Sequence, residues 1–111
     1  MRPDELRQKF PRADPEFLLE YIQEDLIHRI ALRATVFRLE LGLSQADVAA
    51  RIGKGQSYIS SIEAGFQNMT TRTLALLAYA LERDPSDFLR VNLDLEEIQA
   101  RLLERETLPA S

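Results

Sequence analysis

The chain has 111 residues, 45% of them apolar, with no cysteine, a single histidine and a formal net charge of −4. That length sets one domain with modest extensions, and the missing cysteines exclude disulfides and thiolate metal sites. There is no run of about 18 apolar residues and no signal-peptide core, so the composition predicts a soluble, cytoplasmic protein without membrane contact, metal or cofactor.

In chain order, residues 2–12 predict a short, weak helix ending at Pro11. Asp14-Pro15 is a strong helix start, an aspartate cap followed by proline in the first turn. Phe17, Tyr21, Ile22, Leu26, Ile30, Ala34, Phe37 and Leu41 then recur at helical spacing, which predicts helix over residues 15–41, with a bend near 25–28 left open. His28 reads as a partly exposed residue of that helix rather than a ligand or base.

Two short helical patterns follow, back to back. Ser44 is a good cap that Asp47 can answer, Val48, Ala49 and Ile52 face inward, and the small Ala49 and Ala50 admit a closely crossing helix. Gly53 suits the left-handed residue that ends this helix. From Gly55 a second helix is predicted over 56–64, with Ile59 and Ile62 buried, Tyr58 at the rim and Gly65 at the end. Thr71 is read as the cap of a fourth helix whose Leu74, Leu77, Ala78 and Leu81 face the core, and Asp84-Pro85-Ser86-Asp87 starts a short fifth helix containing Phe88 and Leu89. Past these, Asp94 and Glu97 precede a further helical stripe of Leu95, Ile98 and Leu102, which either folds back on the bundle or makes dimer contacts with a second subunit. The last residues, from Thr107, are expected to fray. No strand pattern or repeat occurs.

The pair of short helices between Leu43 and Gly65 is the pattern of a helix-turn-helix, whose second helix enters the major groove of DNA. The outward residues of that segment suit the task. Lys54, Gln56, Ser57, Ser60 and Ser61 are the candidate base-contacting groups, because an amide offers a donor and an acceptor together and a hydroxyl permits close approach. Gln45, Arg38, Gln67, Asn68 and Arg72 are the candidates for phosphate or the minor groove. The competing reading is a surface helix that is merely polar. The acidic total does not oppose DNA binding: residues 26–73 hold six cations against three acids, whereas from residue 84 onward three arginines face seven acids. No phosphate-binding glycine loop, Cys/His pair or metal cluster points to an enzyme. A scaffolding domain that binds no DNA is the remaining dissenting class.

Arg38, Gly42-Leu43-Ser44-Gln45, Ala49, Gly53, Ile59 and Glu63-Ala64-Gly65 together resemble the Cro/repressor-like helix-turn-helix family, often called the XRE family, over residues 26–89. The resemblance implies an all-α chain. A compact five-helix, lambda-repressor-like domain would occupy residues 26–91, with an N-terminal helical extension over 1–25 and an extra C-terminal helix and tail over 92–111. It implies that Gln45 and Gln56 contact phosphate and base, and that Arg38 and Glu63 form an internal ion pair. It implies a sequence-specific transcriptional regulator, a repressor foremost, that reads a palindromic operator on double-stranded DNA as a homodimer in a bacterium or phage. The Asp14-Pro15-Glu16-Phe17…Tyr21 lead-in also resembles HigA-type antitoxins, which sequester a basic protein toxin and repress their own operon. Restriction–modification controllers share the same core. One departure is the loop 66–71, which carries no charge where relatives are often basic.

Overall fold

The computed structural model describes residues 2–66 and 68–90. Within them the helices are α1 (Pro3–Lys9), α2 (Pro15–Glu40), α3 (Gln45–Arg51), α4 (Gln56–Glu63) and α5 (Thr71–Leu81), followed by a 3-10 turn (Pro85–Phe88). No strand is present among the described residues. The expected C-terminal helix, with Leu95, Ile98 and Leu102, lies outside the described residues, as does Gln67.

α2 is a single helix of 26 residues, with no break between 25 and 28. Asp14 opens it by accepting the Phe17 N–H at 2.8 Å, and Pro15 supplies a pre-set first turn. Its apolar residues serve two neighbours. Near its start Leu18 is buried where α1 lies alongside; further on Ile30, Ala34, Val36 and Phe37 sink into the bundle. α1 is shorter than the sequence suggests, but its Leu6 is fully buried and Phe10, just past its end, meets the Phe17 ring edge-on at 5.9 Å.

Val48 and Ala49 of α3, Ile59 and Ile62 of α4, Leu77, Ala78, Ala80 and Leu81 of α5, and Phe88 close the core around α2. Phe88 is fully buried and stands edge-on to Phe37 at 5.2 Å. Several expectations need correction. Ala50 is exposed, so Ala49 alone supplies the close approach of α3 to its neighbours. α5 is capped by Thr70, whose hydroxyl accepts the Thr73 N–H at 3.1 Å; Thr71 is already helical. The fifth helix is only a 3-10 turn, Pro85–Phe88, led by Asp84: the Asp87 and Leu89 N–H groups bond back three residues, to the Asp84 and Ser86 carbonyls at 2.9 and 3.1 Å.

Four helices stop by the same device, a left-handed residue with two reversed backbone bonds. After α2, Gly42 (φ 70°) and Leu43 donate to Leu39 and Arg38 carbonyls. After α3, Gly53 (φ 66°) and Lys54 donate to Ala50 and Ala49; after α4, Gly65 (φ 78°) and Phe66 donate to Ile62 and Ser61. After α5 the left-handed residue is Glu82 (φ 57°), with Arg83 donating to the Ala78 carbonyl at 3.0 Å.

Candidate nucleic-acid interface

α3 and α4 cross as a compact pair, and side chains cap the start of α3. Ser44 and Asp47 form a reciprocal capping box, the Ser44 hydroxyl accepting the Asp47 N–H at 3.0 Å and the carboxylate accepting the Ser44 N–H at 2.9 Å. The Ser44 N–H, and after it the Ser44 hydroxyl, holds the Asp47 carboxyl below the usual aspartate range. α4 begins at Gly55 without a side-chain cap.

Ile59 and Ile62, each 1% exposed, anchor α4 to the core. Successive residues turn about 100° around a helix, so the opposite face is centred on Ser57 and Ala64, both exposed, with the half-buried Ser60 and Ser61 beside them. This is a surface of small side chains that lets the helix backbone come close to a partner. Ala64 was absent from the sequence-based candidates; it falls on this face because the helical turn carries it there. Lys54 and Gln56 are exposed, and the Lys54 Nζ lies 5.3 Å from the Tyr58 ring centroid.

Gln56 sits at the edge of the face nearest α3. Its Nε2 donates to Gln45 Oε1 at 2.7 Å, and Gln45 Nε2 in turn reaches Glu63 Oε1 at 3.4 Å. Glu63 is held by Arg38 in a two-pronged pair, Nε to Oε2 at 2.8 Å and Nη2 to Oε1 at 3.0 Å, and it also accepts from the Thr35 hydroxyl at 3.0 Å. The remaining Arg38 Nη1 donates to the Leu43 carbonyl at 2.9 Å. With side-chain exposures of 13% and 8%, this pair joins α2 to α4 inside the fold. Arg38 therefore sits in the internal ion pair implied by the resemblance, with little surface left for a phosphate. Thr35 was not singled out from sequence, since a threonine in a long helix has no local pattern that marks its partner 28 residues away.

The other sequence candidates are more scattered. Asn68 and Arg72 are exposed, the latter in the first turn of α5. Lys54 and Arg72 have no carboxylate partner among the described residues, whereas Arg29 pairs with Asp25 and Arg83 with Glu40. Arg51 is spent on structure, donating to the Ala80 carbonyl at 2.8 Å and so tying α3 to α5. No cluster able to hold a metal occurs among the described residues, and none of their helices is long and apolar enough to cross a membrane.

Residues 37–88 match a family model described as helix-turn-helix. The uncharacterized HTH-type transcriptional regulator y4dJ of Sinorhizobium fredii is 52% identical over 44 residues, which is 40% of this chain and 57% of that protein. The chain thus spans little more than half the length of that curated relative. Two crystal structures of point mutants of the restriction-modification controller protein C.Esp1396I are similar in fold, with TM-scores of 0.53 and 0.54. They are 26% and 28% identical, covering 71% and 70% of this chain and 92% and 96% of theirs. Residues 37–88, with the paired short helices, the glycine turn and the Arg38–Glu63 bridge, thus form a helix-turn-helix domain similar to those of XRE-type transcriptional regulators.

Proposed function

We propose that the chain is a DNA-binding transcriptional regulator that reads the major groove with α4 and acts as a homodimer on a palindromic operator, without any catalytic step. The observation that carries this reading is the α4 surface: small groups and one tethered amide face out, while two isoleucines hold the helix from behind. Eight residues make a helix about 12 Å long, which suits a major groove about 12 Å wide.

The tether on Gln56 gives the amide a defined chemistry. A glutamine amide has two hydrogens and one oxygen. One hydrogen goes to Gln45, leaving one hydrogen and the oxygen, the set that pairs with N7 and the N6 amino group of adenine. The same bond holds the side chain in one orientation before DNA arrives, so less rotamer freedom is lost on binding. Lys54, and Arg72 with Asn68, supply the cationic and amide groups for phosphates, and two copies would place their α4 helices in successive major grooves about 34 Å apart.

The structural likeness to a restriction–modification controller supports a more specific version, in which the regulated genes belong to such a system. A methylase–endonuclease gene pair beside this one would bear that out. The antitoxin alternative rests on the lead-in at residues 14–21, and the fold accounts for those residues otherwise: Asp14 caps α2, and Phe17 and Tyr21 pack on Phe10.

Selection of bound fragments from a random duplex pool tests the reading. A single palindromic motif should be enriched, and Gln56→Ala should relax choice at one position of each half-site by about 1–3 kcal/mol of discrimination. Recovery of no motif, or an unchanged motif from the correctly folded Gln56→Ala protein, would refute it.

A further inference from the structure

We propose that Phe66 is a DNA-contacting residue, pressing its ring against the deoxyribose and other apolar edges of the duplex at the lip of the major groove. The contact is apolar and has no ionic component. It rests on the DNA-binding reading above and extends it to a residue that no charge or hydrogen-bonding pattern would select.

The four helix ends that share one stop signal supply the comparison. The residue after the left-handed position is Leu43, Lys54, Phe66 or Arg83. In this turn that residue normally folds back onto an apolar side chain near the helix end. Leu43 packs against the core, Lys54 lies over Tyr58, and Arg83 stacks on Phe37 at 4.2 Å. Phe66 makes no comparable contact among the described residues and is 84% exposed, more than any other large apolar residue described. The positions it would fold onto are Ser60 and Ser61, which offer no apolar surface. Its backbone is nonetheless fixed, with its N–H bonded to the Ser61 carbonyl at 2.9 Å. An aromatic ring on a fixed backbone, with no ring partner among the described residues, is surface held ready for one outside.

Two observations identify that partner as a duplex. Phe66 follows α4 directly; with Gln56 in the groove, a helix about 12 Å long brings its far end to the sugar-phosphate wall of a groove about 12 Å wide. Around it, residues 64–81 contain no aspartate or glutamate in a chain with 18 of them. Asn68, Thr71 and Arg72, which has no carboxylate partner among the described residues, stand in the same stretch of chain, so the sequence beside Phe66 supplies groups suited to phosphate.

The chain has no tryptophan, so Phe66→Trp introduces a lone fluorophore at this point. Operator duplex should shift its emission to the blue and shield it from acrylamide. Phe66→Ala, which removes an exposed side chain and should leave the helical circular dichroism intact, should raise the dissociation constant about tenfold on operator and unrelated duplex alike. Phe66→Leu should retain most of the affinity. The slope of log affinity against log salt should not change, whereas Arg72→Ala should make it shallower by about 1. Unchanged affinity of Phe66→Ala, an altered salt slope, or an indole already shielded in free protein as its concentration rises (the sign of a second copy covering it) would each overturn the proposal. If the unsubstituted protein binds no duplex in the same titration, the DNA reading itself falls and this contact with it. If it binds and Phe66→Ala binds equally, only the contact falls.

Discussion

Replacing Glu63 with alanine strikes the point where α2, α3 and α4 are tied together. The substitution takes two hydrogen bonds from Arg38, one from Thr35 and the long one from Gln45. Thr35 keeps the Ala31 carbonyl, but the Arg38 guanidinium, in a side chain only 13% exposed, keeps just the Leu43 carbonyl among the described residues. Removing one partner of a buried pair costs about 3–5 kcal/mol, a large part of the roughly 5–15 kcal/mol that holds a domain together. At about 4–8 °C per kcal/mol for a domain of this size, Tm should fall by roughly 12 °C or more. Thermal and urea unfolding followed by circular dichroism measure this directly. Because the cost comes from the stranded charge, Arg38→Met combined with Glu63→Leu should recover most of the loss. A Tm within about 4 °C of the parent for Glu63→Ala, or a double variant no more stable than the single one, would refute the reasoning.

At the end of α5, Glu82 occupies a left-handed conformation that costs a residue with a Cβ about 1–2 kcal/mol. Among the described residues Glu82→Gly gives up one exposed 3.9 Å contact, with Arg51, so the urea midpoint should rise, by about 1 kcal/mol in stability. Acid should weaken the helix starts. The Asp47 carboxyl is held low by the Ser44 N–H and hydroxyl, and the Asp84 carboxyl by the Ser86 hydroxyl and N–H. Both folded values lie below the unfolded ones, so their stabilisation is complete above the ordinary aspartate range and is lost as pH drops through the lowered folded values. Asp47→Asn with Asp84→Asn should therefore flatten the fall in stability below about pH 4; an acid limb of unchanged steepness would show that the caps do not set it.

What could be read from the chain was whatever repeats at short range. Asp14-Pro15, Ser44 with Asp47, and the glycines at 53 and 65 are local signals, and each marks a helix boundary. Ile59 and Ile62 announced the buried side of α4 by spacing alone. The misreadings occurred where two similar residues compete or a distant neighbour decides. Thr70 and Thr71 are both able to cap, and only the path of the loop selects the first. Ala49 and Ala50 differ only in which way each faces. Leu6 belongs to a segment of weak local propensity that is helical because α2 buries it. Arg33, 7% exposed, bonds through its Nη2 to the Arg90 carbonyl, a partner 57 residues away that no local pattern marks. At the site, Gln45 and Gln56 each carry a sequence signal, but their mutual hydrogen bond depends on the crossing of two helices and has no counterpart in spacing.

α4 divides its side chains so that those fixing it in place and those on display barely overlap. Ile59 and Ile62 fix it, and Ser57 and Ala64 are on display. Exposed positions of that kind usually change stability by no more than about 0.5 kcal/mol when substituted. Under the proposed reading, substitutions at 57 and 64 would retune target preference while the scaffold stays intact, and another regulator's side chains could be transplanted there. Gln56 is the exception: tied through Gln45 to Glu63, it must be exchanged together with its tether.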